Sequence, residues 1–232
     1  MRPLIGLLLF ANLLLIGCIS EEAQNAASHA ANAIPAGNVK LETYSTHDTG
    51  KEDYKAYKLV FGGIDKSLFE AKDYDRIASL GAYVFAANLK PTDLGGYKKV
   101  DVQLNLPDNI THNATFDMDR LLGTAKHIEY TEKIFDAIKK KDFALYRDLV
   151  KTLQEEKVAI ASEFDTLMRL DSLNGGFERL NFSGFIYSVN PEDSSNETTI
   201  RCQLLQTNHY ADRTYRYSDK SGELRYIGAD AK

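Results

Sequence analysis

The chain has 232 residues, with 28 Lys and Arg against 33 Asp and Glu, a formal net charge of −5 and only two cysteines. A mildly acidic chain without a basic block is a poor partner for nucleic acid, whose binding rests on neutralising phosphates. Two cysteines exclude a disulfide framework, and the length suits one generous domain or two small ones.

The first element is an address. Arg2 precedes an apolar run over residues 4–16, interrupted only by Gly6 and Asn12, and Ser20, Glu21 and Glu22 follow it. A run this short fits the h-region of a secretory signal and falls short of the ~20 residues that span a bilayer. It closes on Leu15-Ile16-Gly17-Cys18. This quartet resembles the lipobox of bacterial lipoproteins, in which an apolar residue, a small or branched residue and Gly or Ala precede an obligatory Cys. The chemistry suits the residue types, because a thiol is the nucleophile that takes a diacylglyceryl group as a thioether. The resemblance implies cleavage after Gly17, lipid attachment at Cys18 by acyl chains such as palmitate, and a membrane partner reached through that lipid. It places the protein in a bacterial cell envelope. Ile19 is unlike the Asp of the inner-membrane retention pattern, which implies an outer membrane where the organism has one.

Residues 18–38 combine Ala, Asn, Ser, Glu and Gln with Pro35 and Gly37 and lack sustained apolar periodicity, so a flexible tether is expected, with at most a frayed helix over 26–33. Alternation predicts strands over 39–46 and 54–61, and a helical stripe of Ile77, Leu80, Val84 and Phe85 predicts a helix over 74–89. Residues 97–106 alternate Val100, Val102, Leu104 and Leu106 with polar neighbours, as a half-buried strand does. Residues 108–119 are polar and read as a connector. A small β-β-α-β subdomain over 39–115 is therefore expected, followed by a second over 116–232.

That second part opens with three helices, over 120–140, 142–153 and 157–173, the last ended by Asn174-Gly175-Gly176. The period then changes to two, predicting strands over 180–189, 198–207, 211–217 and 224–227. The fold class is α+β, with an antiparallel meander wrapping the helices. The segment 135–143, with Asp142-Phe143 at a helical corner, and the terminal strands carrying Tyr215-Arg216-Tyr217 and Tyr226 are similar to NTF2-like (cystatin-fold cone) domains. The similarity covers 120–229 and brings no diagnostic catalytic motif.

No residue pattern names a reaction. The five histidines, His29, His47, His112, His127 and His209, lack metal-ligand spacing, so neither a metal site nor a cofactor is implied. Cys202 falls in phase with Ile200 and Leu204 and reads as a small core hydrophobe. Tyrosine is conspicuous, 13 with no tryptophan. Tyr210, Tyr215, Tyr217 and Tyr226 gather on the last strands with Arg213 and Arg216. They form either a binding surface, since Tyr and Arg supply much of interface energy, or an inward core with arginines on the solvated alternate face. The expectation is a ligand-binding, protein-binding or assembly module. The alternative is a small-molecule hydrolase or isomerase using the interior of the cone, with Asp165, His127 and Tyr187 as the titratable candidates.

Overall fold

The computed structural model describes residues 19–34, 36–46, 53–64, 73–153, 157–207 and 209–228, without the side chains of 108 and 157–159. In chain order the elements are α1 (Glu21–Ala33), β1 (Asn38–Thr46), β2 (Tyr54–Gly62), α2 (Tyr74–Asn88), the single turn α3 (Pro91–Leu94), β3 (Tyr97–Asn105), a 3-10 turn (Pro107–Asn109) and β4 (Thr111–Asp117). There follow α4 (Met118–Lys139), α5 (Phe143–Val150), α6 (Lys157–Leu173), β5 (Phe177–Val189), β6 (Asn196–Gln206), β7 (Tyr210–Ser218) and β8 (Leu224–Gly228). The class is α+β. The first sheet has the order β1-β2-β3-β4 and is mixed, with β2 and β3 parallel across the α2 crossover. The second is an antiparallel meander, β5-β6-β7-β8.

The expected tether is corrected by α1. Ser20 caps the helix, its Oγ accepting from the Ala23 amide at 3.0 Å. Ala23, Ala26, Ala27, Ala30 and Ala31 recur at three- and four-residue spacing, and all are buried. Alanine lets α1 approach α2 closely, and Ile34 then reaches to the Cα side of Gly81. The composition read as a tether because alanine is only weakly apolar; its value here lies in size and helix propensity.

The expected connector is corrected as well. Thr111–Asp117 is the edge strand β4, paired with β3 from Asn105↔Thr111 to Lys99↔Asp117. Only Phe116 of this strand is buried, so its sequence carries no alternating apolar signal. β4 runs directly into α4, and the expected boundary between 115 and 116 falls inside the strand. One continuous apolar cluster joins both halves, from Ala23 through Phe61 and Phe85 to Phe185 and Tyr217.

The halves meet where α2 lies against β5, an edge strand of the second sheet. Arg76 Nη1 donates to the Ser183 carbonyl at 2.8 Å, and the Phe185 amide donates to Ser79 Oγ at 3.0 Å. These bonds satisfy backbone groups that a bare edge would leave open. The ladder is irregular between Phe182 and Gly184, and Gly184 has φ +130°. A Cβ there would lie 2.6 Å from the Arg76 carbonyl oxygen, so only glycine permits the approach. Tyr83 packs edge-on against Phe182 and Phe185, and Phe116 against Phe185 and Tyr187.

The inner face of the second sheet holds α4, α5 and α6. Asp171 near the end of α6 accepts from the Phe177 amide at 2.6 Å and pairs with Lys141 at 2.9 Å, tying three elements together. Burial opposes its charge, but the Lys141 and Phe177 bonds outweigh that and hold its carboxyl below the usual range.

Candidate functional site: a polar cleft beside α4

Arg120, Thr124 and His127 are spaced four and three residues apart, which puts them on one face of α4. That face looks toward Tyr187 on β5, Thr198 on β6 and Asp219 in the β7–β8 turn, and an open cleft of about 450 Å³ lies among them. Lys126 and Lys220 stand exposed at its rim.

Asp219 is the hub. Its Oδ2 accepts from Arg120 Nε at 2.8 Å and pairs with Nη2 at 2.8 Å, while Oδ1 accepts from Thr198 Oγ1 at 2.6 Å. Arg120 Nη2 also donates to the Glu197 carbonyl at 3.1 Å, and the guanidinium lies 3.7 Å over the Tyr187 ring. Thr124 spends its proton on the Arg120 carbonyl, 2.9 Å away, so the Tyr187 hydroxyl is the donor in the 3.0 Å bond between Tyr187 and Thr124. Burial pushes the Tyr187 phenol up to about 12 in spite of the nearby Arg120 charge, so it stays protonated.

His127 is 8% exposed and stacks on Tyr217 with centroids 4.7 Å apart and planes at 11°. Its Nε2 lies 3.9 Å from Asp219 Oδ1, too far for a hydrogen bond and near enough for charge to be felt. Burial lowers its pKa below the ordinary 6.5; Asp219 pulls upward and Lys126 downward. The ring is therefore neutral at pH 7. The cleft thus offers a neutral imidazole, two rim ammonium groups and a carboxylate already neutralised by Arg120, which suits hydrogen bonding to a polar or anionic group. Among the described residues, no group of three or more His, Cys, Asp or Glu gathers to hold a metal ion.

The Tyr and Arg cluster of the last strands divides. Tyr215 and Tyr217 are inner-face core at 1% and 0% exposure, and Arg213 is buried with its Nη1 3.9 Å from Glu163. Tyr215 and Tyr217 thus follow the inward-core alternative, whereas buried Arg213 departs from both and exposed Tyr226 from the core one, because odd positions of β7 face the helices. Tyr210, Arg216 and Tyr226 are on the outer face, with Arg216 over the Tyr226 ring at 5.3 Å. Tyr210 stands at the far end of β7, roughly 20 Å from Arg216 at ~3.4 Å per residue, so the outer residues form no single patch.

Of the titratable candidates, His127 lines the cleft, Tyr187 meets the same face of α4 through Arg120 and Thr124, and Asp165 is left exposed on α6. Sequence pattern does not single out Arg120, Thr198 or Asp219. Arg120 and Thr124 stand at helical spacing from His127, whereas Asp219 sits in a turn whose partner strand the sequence does not reveal. Cys202 is buried at 2% exposure. Gly17 and Cys18 lie outside the described residues, and no described helix is long and apolar enough to cross a membrane.

A second polar groove, of about 540 Å³, lies at the outer end of the sheet, where Arg225 binds Asp193 at 3.0 Å and Glu197 at 3.3 Å. Arg216 and Arg225 face Glu192, Asp193, Glu197 and Glu223 there, and Arg225 clamps the β5–β6 turn to β8. No protein-family model matches the chain, and neither a curated protein nor a solved structure matches it.

Proposed function

We infer that this chain is a lipid-anchored protein of a bacterial cell envelope, held by acyl chains on Cys18 and working as a ligand- or protein-binding module. The anchor reading is supported by Leu15-Ile16-Gly17-Cys18 behind a short apolar run. The observation that carries the binding reading is the filled interior of the second sheet. Tyr146, Phe185, Tyr215 and Tyr217 occupy the space in which a cone-shaped domain would hold a substrate, each at most 1% exposed. Three helices followed by an antiparallel meander are in keeping with an NTF2-like relationship, here with a closed interior. What stays open to a partner is the cleft beside α4 and the outer sheet faces.

A photoreactive residue placed at Lys126, on the cleft rim, and at Tyr226, on the outer face, tests this in the native host. The binding reading expects a discrete crosslinked species from at least one position, lost when Arg120→Ala or Arg216→Ala removes the neighbouring cation. Absence of any adduct at both positions would overturn it.

A hydrolase or isomerase is the second reading, favoured by the approach of neutral His127 to Asp219 in an open cleft. It requires turnover of small esters or carbonyl compounds that His127→Asn abolishes while the fold survives.

A further inference from the structure

How the lipid anchor is joined to the folded body decides what faces the membrane. Cys18 is followed by Ile19, which already packs against the core, and by Ser20, which caps α1. α1, from Glu21, is fixed against the core, since Ala23, Ala26, Ala27 and Ala30 are all at most 1% exposed. A trans peptide advances at most ~3.6 Å per residue, so Ser20 lies within about 7 Å of Cys18. No free linker remains between them.

We propose that the folded body is apposed directly to the lipid headgroups by one defined end, rather than standing off on a tether; this rests on lipidation of Cys18. That end is set by contacts. Glu22 at the start of α1 pairs with Lys90 just after α2 at 2.5 Å, and the Tyr57 hydroxyl, near the start of β2, donates to the Asp93 carbonyl of α3 at 2.8 Å. β2 and β3 run in parallel away from this end, and β4 returns to it, with Lys99 and Asp117 3.7 Å apart. The opposite end carries the last residue of α1, the Asn38↔Gly62 pair and the 3-10 turn at Pro107–Asn109. α1 alone, 13 residues at ~1.5 Å each, separates the two ends by about 20 Å.

The chemistry of the near end fits headgroups and not the hydrocarbon core. The first turn of α1, Lys90 and α3 present Glu21, Glu22, Lys90 and Asp93, and no large apolar side chain is exposed there. The acyl chains hold the protein while this surface rests against polar lipid; Lys55, Lys98 and Lys99 at the starts of β2 and β3 offset its carboxylates, and such mixed charge suits the headgroup layer. Partners consequently meet the protein close to the membrane, on the faces pointing sideways and outward.

The test uses the acylated full chain in phosphatidylcholine vesicles containing headgroup-nitroxide lipid. A fluorophore is attached at Asn25→Cys, on the near end, or at Ile110→Cys, on the far end; buried Cys202 does not compete for label. Apposition predicts marked loss of fluorescence at position 25 and little at 110. Inserting a flexible Gly-Ser linker between Ile19 and Ser20 should abolish the difference. Equal quenching at both positions in an acylated chain would overturn the proposal alone. A chain with no acyl mass at Cys18 would overturn the anchor and the proposal together.

Discussion

Gly184 is the residue whose identity the fold constrains most visibly. Its φ of +130° disfavours any side chain, and a Cβ would collide with the Arg76 carbonyl. Gly184→Ala is expected to cost at least ~2 kcal/mol in urea unfolding. Gly123, on α4 with open space around it, is the control: Gly123→Ala should gain up to ~1 kcal/mol from helix propensity alone. His127 makes a pH-dependent contribution. Its folded pKa is depressed by burial, so the folded chain resists the proton that the unfolded chain accepts below about 6.5. Stability is full above that value and falls as pH drops toward the folded pKa. His127→Phe, which keeps a ring against Tyr217, should remove this loss in melts between pH 7 and 5. The carboxylate of Asp171, held low, acts in a separate window: its contribution is present above its ordinary value of 3.8 and is lost as pH falls through the lower folded pKa.

At the scale of elements, α1 carries a prediction that separates a packed helix from a tether. Ala30→Glu places a charge at a position of 0% exposure and should cost ~3 kcal/mol or more, whereas Ser28→Glu on the exposed side should change stability by no more than about 0.5 kcal/mol. A tether would be indifferent to both. The same helix explains what the sequence leaves illegible. Strands with Val, Leu and Tyr in alternation and helices with Ile, Leu and Phe stripes are found close to where periodicity puts them, because their burial is written in strongly apolar residues. Alanine packing in α1 and the polar edge strand β4 escape that test, since close approach and hydrogen bonding hold them rather than large apolar area. Of the candidate site the sequence singles out only His127 and Tyr187; Arg120 and Thr124 stand at helical spacing from His127 but carry no signal of their own. The site was illegible across the sheet, because Asp219 meets Arg120 only through tertiary folding.

For the whole molecule, one core crosses both sheets, and α2 is bonded to the edge of β5 as well as covering the first sheet. The two halves are therefore expected to unfold together, with far-UV circular dichroism and tyrosine fluorescence giving coincident single transitions. Two resolved transitions would contradict the shared core. Among the described residues Ile19 and β8 belong to one packed body, its interior closed by aromatic rings and its polar cleft open to solvent. We infer that Cys18 carries the lipid that brings this body to the membrane. Lipidation is tested most directly by the mass of the N-terminal peptide from membrane-fractionated protein, with Cys18→Ala alongside. The prediction is a peptide beginning at Cys18 with diacylglyceryl mass added, and no mature lipidated form from Cys18→Ala. A native N-terminal peptide without acyl mass, in a protein still found with membranes, would contradict it.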